Sequence, residues 1–295
     1  MRNLAFYINP HADNRREMMK YLSDHGIRLV GIDGNRWHFE NRTDETGIAD
    51  FKKDLDEFGL NLCSMHSCFP ILTSTEDGTS PDLFEAQLNE LRTFALLGGH
   101  SAVYHATWIR DLDASEIGPA IDRIGWNCFV EMTAKTVKML AEEASRNNIY
   151  IVLENLTLES FSDSAAKICE IVISVSEPNV GILLDSGHTH LAGLDVADEI
   201  RQAGNLLKDV HFHDNAGAKV NGELIDQHLP PGLGTINWQN VIGALNEIHY
   251  SGPIAFEGVL NQRFFDGKLT YKDLIDITLN NWHAFECFKQ CKQTF

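Results

Sequence analysis

Short apolar runs alternate along this chain with longer stretches in which apolar residues recur about every three or four positions. Continuous apolar runs bounded by turn residues are typical of parallel strands buried on both faces, and the longer stretches predict amphipathic helices that cover such a sheet. The predicted strands are Leu4–Asn9, Ile27–Asp33, Leu60–His66, Ala102–Ala106, Ile149–Asn155, Val180–Asp185, Val210–Asp214 and Ile254–Gly258. The predicted helices are Arg15–Asp24, Ile48–Phe58, Leu83–Leu97, Phe129–Asn147, Ala165–Val175, Val196–Ala203, Trp238–Ile248 and Tyr271–Phe288.

Eight strands that alternate with eight helices predict an α/β fold, a (β/α)8 TIM barrel. We expect one domain over residues 1–295, because such barrels take about 250 residues and no linker interrupts the pattern. An open, doubly wound sheet is the competing architecture, but no glycine-rich phosphate loop follows the first predicted strand. A barrel would place its active site at the C-terminal ends of the strands.

Charge and composition narrow the classes of partner. The chain has 42 acidic and 24 basic residues, a net charge of -18, which argues against nucleic-acid binding because that depends on neutralising phosphates. No apolar run approaches the roughly 20 residues of a membrane span, and we expect no membrane association. The six dispersed cysteines and the absence of a secretory signal pattern predict a cytoplasmic protein with reduced thiols that acts on a small molecule.

Acidic or imidazole side chains stand at seven of the eight predicted strand ends. In a barrel these groups would point into one funnel, where buried carboxylates repel each other unless a cation neutralises them. Mixed carboxylate and imidazole ligands suit a transition metal better than calcium. The sequence therefore predicts a divalent metal, with Mn, Co, Mg, Fe and Zn all open and the number of ions undecided. The strand-end residues are Asp33, His66, His105, Glu154, Asp185, His211 and Glu257.

The order Glu154, Asp185-x-x-His188, His211 and Glu257, each after an apolar strand, resembles the xylose isomerase-like barrel superfamily. That superfamily includes sugar isomerases and 3-epimerases, inosose dehydratases and endonuclease IV. The resemblance implies that Glu154, Asp185, His211 and Glu257 are metal ligands. It also implies that Glu154 and Glu257 exchange a proton with a sugar carbon, and that His188 contacts the substrate.

Further predictions concern the other strand ends and one loop. We expect His66, His105 and Trp108 to contact substrate, and His213, on the strand face of His211, to support the ligands. The resemblance to endonuclease IV implies a multinuclear alternative in which five residues are additional metal ligands. These are His66, His105, His188, Asp226 and His228.

The favoured function is a metal-dependent sugar isomerase or epimerase that works through an enediolate. The alternatives are a metal-dependent dehydratase or lyase on a keto-sugar or polyol, and an endonuclease IV-like zinc phosphodiesterase. One departure from the family pattern argues against free-ketose 3-epimerase activity, since Gly217 stands where those enzymes carry a substrate-binding arginine. Lys219 is the candidate substitute for that arginine. A homo-oligomer is the family expectation, and the last helix around Trp282, Phe285 and Phe288 is its predicted contact.

Overall fold

The computed structural model describes residues 2–33, 45–69, 71–73, 81–105, 108–109, 114–157, 161–217 and 225–292. Within them, eight parallel strands close into a barrel in the order β1-β2-β3-β5-β7-β8-β9-β10, and β10 pairs with β1. The predicted (β/α)8 fold is therefore confirmed. The barrel strands are β1 (Leu4–Ile8), β2 (Leu29–Asp33), β3 (Asn61–His66), β5 (Ser101–His105), β7 (Tyr150–Glu154), β8 (Val180–Asp185), β9 (Leu207–His211) and β10 (Ile254–Phe256), and the strands β4 (Leu72–Thr73) and β6 (Trp108–Ile109) form a separate small sheet.

Helices surround the barrel and bury one face each. In α5 the buried residues Phe129, Thr133, Val137 and Leu140 recur at helical spacing, so this stripe packs on the strands while the opposite face stays in water. The helices are α1 (Arg15–Asp24), α2 (Glu45–Phe58), α3 (Pro81–Leu96), α4 (Ala114–Ile124), α5 (Trp126–Arg146), α6 (Ala165–Val175), α7 (Ser186–Leu191), α8 (Val196–Ala203), α9 (Trp238–Glu247) and α10 (Tyr271–Lys292).

Alternation along the strands brings polar ends into the barrel. Val103, Val152 and Leu183 form a buried cluster of their own, apart from the main core between strands and helices. Each of them precedes a strand-end acid or histidine by two residues, and residues two apart on a strand share a face. The side chains at the strand ends therefore point into the mouth of the barrel. These residues are His105, Glu154 and Asp185.

Three sequence expectations need correction. The seventh barrel strand runs from Leu207 to His211 and not from Val210 to Asp214, and the helices α4 and α7 and the small β4–β6 sheet were not predicted. Trp282 is fully buried and packs against Phe212 and Phe256, so it belongs to the core and offers no contact to a second copy. Its large apolar surface gains more from this burial than from exposure on the helix.

The remainder of that predicted contact surface is also altered. Phe285 is half-buried and packs against the core, stacked on Trp238, while the side chain of Phe288 lies outside the described residues. None of the helices described here has the length and apolar character to span a membrane.

Candidate metal centre

Four predicted ligands meet at the C-terminal mouth of the barrel. Glu154, Asp185 and His211 are the last residues of β7, β8 and β9, and Glu257 directly follows β10. One ligand atom of each lies within 4.8 Å of the others. The His211 Nδ1 atom is 3.1 Å from Glu154 Oε1 and 3.3 Å from Glu257 Oε2. We call these four residues the central group.

A second group shares Glu154 with the first. His66 and His105 end β3 and β5, and their Nε2 atoms are 3.0 Å apart. The same two atoms lie 3.0 and 3.1 Å from Glu154 Oε2, whereas Glu154 Oε1 faces His211. The carboxylate of Glu154 therefore stands between two sets of nitrogen donors.

A third group surrounds Asp226 on the loop that follows β9. Asp226 Oδ2 lies 2.8 Å from His228 Nε2 and 3.3 Å from His188 Nε2. His213 and His228 stack with ring centroids 3.9 Å apart, and ligand atoms of His213, Asp226 and His228 also lie within 4.8 Å of one another. His213 Nε2 is 3.0 Å from Asp185 Oδ2. His213 is thus itself a candidate ligand of the third group, whereas the sequence predicted only a supporting role for it.

The pKa values follow from this crowding. Burial acts to raise the pKa of Glu154, but the charge of His211 and the hydrogen bonds from His105 outweigh it and hold the pKa well below its ordinary value. Burial acts to lower the pKa of His66, but the hydrogen bond to Glu154 raises it to about 9. The pKa of His228 is likewise raised to about 9, against burial, by its hydrogen bond to Asp226.

These observations test whether a metal fits. Without a cation, the raised pKa values of His66 and His228 favour protonated rings beside the buried carboxylates. A divalent ion can take the place of those protons, because metal ligation requires neutral imidazole and ionised carboxylate. The donor set of nitrogen and carboxylate oxygen suits Mn, Fe, Co and Zn. The residues present fit a divalent metal.

Backbone carbonyls orient two of the histidines. His66 Nδ1 lies 3.0 Å from the Ser67 carbonyl, and His188 Nδ1 lies 2.9 Å from the Asn155 carbonyl. Each contact fixes the ring so that its Nε2 faces the acids. A glycine makes room for a third ring, because a Cβ on Gly187 would overlap the imidazole of His213.

Sequence reasoning missed three polar residues that hold this mouth together. Asn155 accepts a 2.7 Å hydrogen bond from the Asp185 backbone N–H, and Asn215 accepts a 2.7 Å bond from the Gln227 N–H beside Asp226. The hydroxyl oxygen of Tyr7 lies 2.7 Å from His211 Nε2. Their signal in the sequence was position alone, since Tyr7 is near the end of β1 and Asn155 directly follows Glu154.

A cavity of about 610 Å³ opens beside the central group, in the range of small-molecule sites. Glu257 and His228 line this cavity together with three amide side chains. The carbonyl oxygens of Asn9 and Asn261 accept backbone hydrogen bonds, which leaves their N–H donors for a ligand. Among the described residues that line this cavity, none is a lysine or an arginine. The amides are Asn9, Asn261 and Gln262.

Some predicted contacts cannot be placed. The backbone of Trp108 belongs to β6, but its side chain lies outside the described residues, as do the side chain of Asp33 and the whole of Lys219. Gly217 is described and has a φ of 125°, a conformation that favours glycine over the arginine of 3-epimerases.

A family model described as a xylose isomerase-like TIM barrel matches residues 7–278. The uncharacterised protein MJ1311 of Methanocaldococcus jannaschii is 28% identical over 185 residues, 61% of this chain and 58% of that protein. An inosose isomerase of Halalkalibacterium halodurans is 30% identical over 30% of this chain and 31% of its own length. A D-psicose 3-epimerase of Enterocloster bolteae is 24% identical over 43% of this chain and 40% of its own length. The chain therefore spans less than two thirds of each of these curated relatives.

Solved structures resemble the whole chain more evenly. The IolI protein with a bound zinc atom has a TM-score of 0.72 at 18% identity and covers 96% of this chain and 97% of its own. The 3-keto-D-glucoside 4-epimerase YcjR from E. coli has a TM-score of 0.71 at 17% identity and covers 95% of this chain and all (100%) of its own. At such identities the likeness shows the fold.

Proposed function

Because the chain belongs to the xylose isomerase-like TIM barrel family, we propose that it is a divalent-metal-dependent isomerase or epimerase of a sugar or sugar derivative. Curated relatives that carry the names of sugar isomerases and epimerases support this class. The observation that carries the proposal is the pair Glu154 and Glu257, two carboxylates that contact one nitrogen of His211 beside an open cavity. A protein that only binds sugar has no need of two such acids.

The central group would hold the metal through Glu154, Asp185, His211 and Glu257. When bound, the ion supplies a positive charge that stabilises negative charge as it develops on a sugar oxygen. Glu257 lines the cavity and takes the proton from the carbon beside the carbonyl. Glu154, which contacts the same nitrogen of His211, would return a proton in an epimerisation. The two carboxylates therefore divide removal and return between them.

The remaining histidines hold the substrate. His188 is 14% exposed, and in this proposal its Nε2 exchanges the contact with Asp226 for a sugar hydroxyl at the edge of the central group. His66 and His105 present Nε2 atoms to the same mouth and contact substrate oxygens there. In this proposal Trp108 stacks on the sugar from the small β6 strand.

The cavity favours a sugar without a phosphate. Phosphate sites in proteins use arginine, lysine or helix N-termini as donors, and the described lining of this cavity offers uncharged amides with free N–H groups. Amide donors pair well with hydroxyl oxygens. We therefore expect an unphosphorylated keto-sugar or polyol derivative to be turned over faster than its phosphate ester.

The first experiment is the metal content per chain of protein purified without added metal or chelator, by plasma mass spectrometry. About one Mn, Co, Fe or Mg per chain supports the isomerase or epimerase. A panel of keto-sugars in deuterated water then reports turnover as deuterium gained at the carbon beside the carbonyl. A product that is one water lighter than the substrate, without a deuterated isomer or epimer, assigns the dehydratase instead. Activity that survives exhaustive chelation with no metal detected overturns the mechanism.

A second function is favoured by one observation, the three adjacent donor groups. Two or three zinc ions held by these groups would supply a hydroxide nucleophile and positive charge beside the leaving oxygen in phosphodiester hydrolysis. Two or three Zn per chain together with cleavage of abasic DNA would establish it. The net charge of -18 and the absence of lysine and arginine from the described cavity lining weigh against a DNA substrate.

A further inference from the structure

The hydroxyl of Tyr7 lies directly behind a ligand of the central group. Tyr7 is on β1, is 7% exposed, and places its oxygen 2.7 Å from His211 Nε2. Its ring meets the His211 imidazole edge-on, with centroids 4.8 Å apart and an angle of 79° between the planes. The side chain therefore constrains both the hydrogen bonding and the tilt of that imidazole.

The chemistry of imidazole sets the direction of this hydrogen bond. His211 faces Glu154 and Glu257 with Nδ1, so Nδ1 is the atom that would bind a cation. A neutral imidazole that gives its Nδ1 lone pair to a metal carries its proton on Nε2. That Nε2–H needs an acceptor in the buried interior, and the Tyr7 oxygen is within reach.

A third residue completes the arrangement. The Tyr7 oxygen is also 2.8 Å from Ser64 Oγ, and Ser64 is fully buried on β3. If Tyr7 accepts from His211, its own proton is free to be donated to Ser64. The single O–H of Tyr7 is then donated to Ser64. Although the ring borders the cavity, the hydroxyl therefore has no proton left to donate to a sugar.

We propose that Tyr7 is a positioning residue that holds His211 in the tautomer with its proton on Nε2, by accepting a hydrogen bond from that N–H and donating one to Ser64 Oγ. The role rests on the proposed metal site. Partners of this kind that lie behind a metal-bound histidine raise its basicity and fix its orientation, and their loss lowers metal affinity about 10–100-fold. Tyr7 acts on the reaction only through His211.

The test is Tyr7→Phe in the full-length protein, which removes the hydroxyl and keeps the ring. Mn²⁺ or Zn²⁺ is titrated into metal-stripped protein in competition with a chromophoric chelator. We expect the affinity of the central group to fall by about 10–100-fold while circular dichroism and the melting temperature of the metal-free protein change little. Ser64→Ala should lose less, because Tyr7 can still accept from His211.

Tyr250→Phe is the matched control. The Tyr250 hydroxyl donates a 2.8 Å hydrogen bond to the Pro253 carbonyl, so its removal costs one hydrogen bond of a tyrosine without touching His211. We expect unchanged metal affinity from this variant. A general effect of losing a tyrosine hydroxyl would lower the affinity of both variants and would contradict the role of Tyr7.

A double-mutant cycle isolates the route. In a His211→Ala background, Tyr7→Phe should cause no further loss of metal affinity, since the partner of the hydroxyl is gone. Equal losses in the two backgrounds, or unchanged affinity of Tyr7→Phe, would overturn this inference alone. Failure of the wild-type protein to bind any divalent metal would overturn the proposed function together with it.

Discussion

The two oxygens of Glu154 face different histidines, Oε1 toward His211 and Oε2 toward His66 and His105. Loss of its charge should therefore weaken both groups at once. We predict that Glu154→Gln lowers the metal content per chain more than Asp226→Asn, which touches only the third group. Plasma mass spectrometry of the two variants checks this. Equal metal content in both would show that Glu154 does not bridge the groups.

Glu257 is the acid that both faces the cavity and contacts His211. We predict that Glu257→Gln lowers kcat by about 10²–10⁴-fold, the usual contribution of a proton-transferring side chain. Its circular dichroism spectrum should stay that of the folded barrel. Glu286→Gln, which changes a carboxyl on α10 paired with Arg2, is the control and should keep full turnover. A fully active Glu257→Gln variant would remove the assigned role.

At the residue scale the sequence predicted which groups meet but not how they are oriented. Strand ends, with the family resemblance that the Asp185-x-x-His188 spacing carries, were enough to predict which residues meet as candidate ligands, because every barrel strand ends at the same mouth. The stacking of His213 on His228 and the contact of Tyr7 with His211 depend on ring rotation and on the register between distant strands. Neither quantity leaves a periodic signal in a single sequence.

One carboxylate organises the element that carries Asp226 and His228. Asp214 is buried and accepts hydrogen bonds from the backbone N–H groups of Gly232 and Ile236, at 2.8 and 3.1 Å, and from Trp238 Nε1 at 2.8 Å. These bonds close the loop between β9 and α9 onto the barrel. The loop is thus held by a residue that takes no part in the chemistry.

We predict that Asp214→Ala lowers the free energy of unfolding by about 2–4 kcal/mol, because several buried donors lose a charged acceptor. Chemical denaturation measures the change. Asp195→Ala removes a helix cap that accepts a single bond from the Asp198 N–H, and should cost about 1 kcal/mol. Similar losses in the two variants would contradict the role of Asp214 in holding the loop.

Element boundaries show where periodicity is insufficient. The seventh barrel strand begins at Leu207, but Lys208 and Asp209 interrupt its apolar run and shifted the predicted strand toward the C-terminus. The predicted strand extended to Asp214, but in the structure Asp214 lies outside the barrel strand and forms an isolated antiparallel bridge with Leu229. The short helix α7 starts where the Asp185 side chain accepts the His188 N–H, so this predicted ligand is also the cap of the helix. The sequence analysis identified Asp185 only as a predicted ligand and not as a helix cap.

At the scale of the whole molecule, the barrel mouth brings four carboxylates together with histidines: Glu154, Asp185, Asp226 and Glu257. The pKa values of His66 and His228 are both raised to about 9, which favours protons on these two rings when no metal is bound. A histidine whose pKa is raised on folding contributes stability fully below its unfolded pKa, about 6.5. That contribution is lost as the pH rises through the folded pKa.

We therefore predict that the melting temperature of the metal-free protein falls between about pH 6.5 and pH 9.5. The melting temperature of the metal-loaded protein should fall less over the same range. The ion takes the place of the protons on these rings and stays bound at a pH where the protons would dissociate. Differential scanning calorimetry of both forms across this range measures the difference. In the metal-free His66→Gln variant the slope should become shallower. Parallel slopes for the metal-free and metal-loaded proteins would mean that the ion does not replace the protons of these histidines.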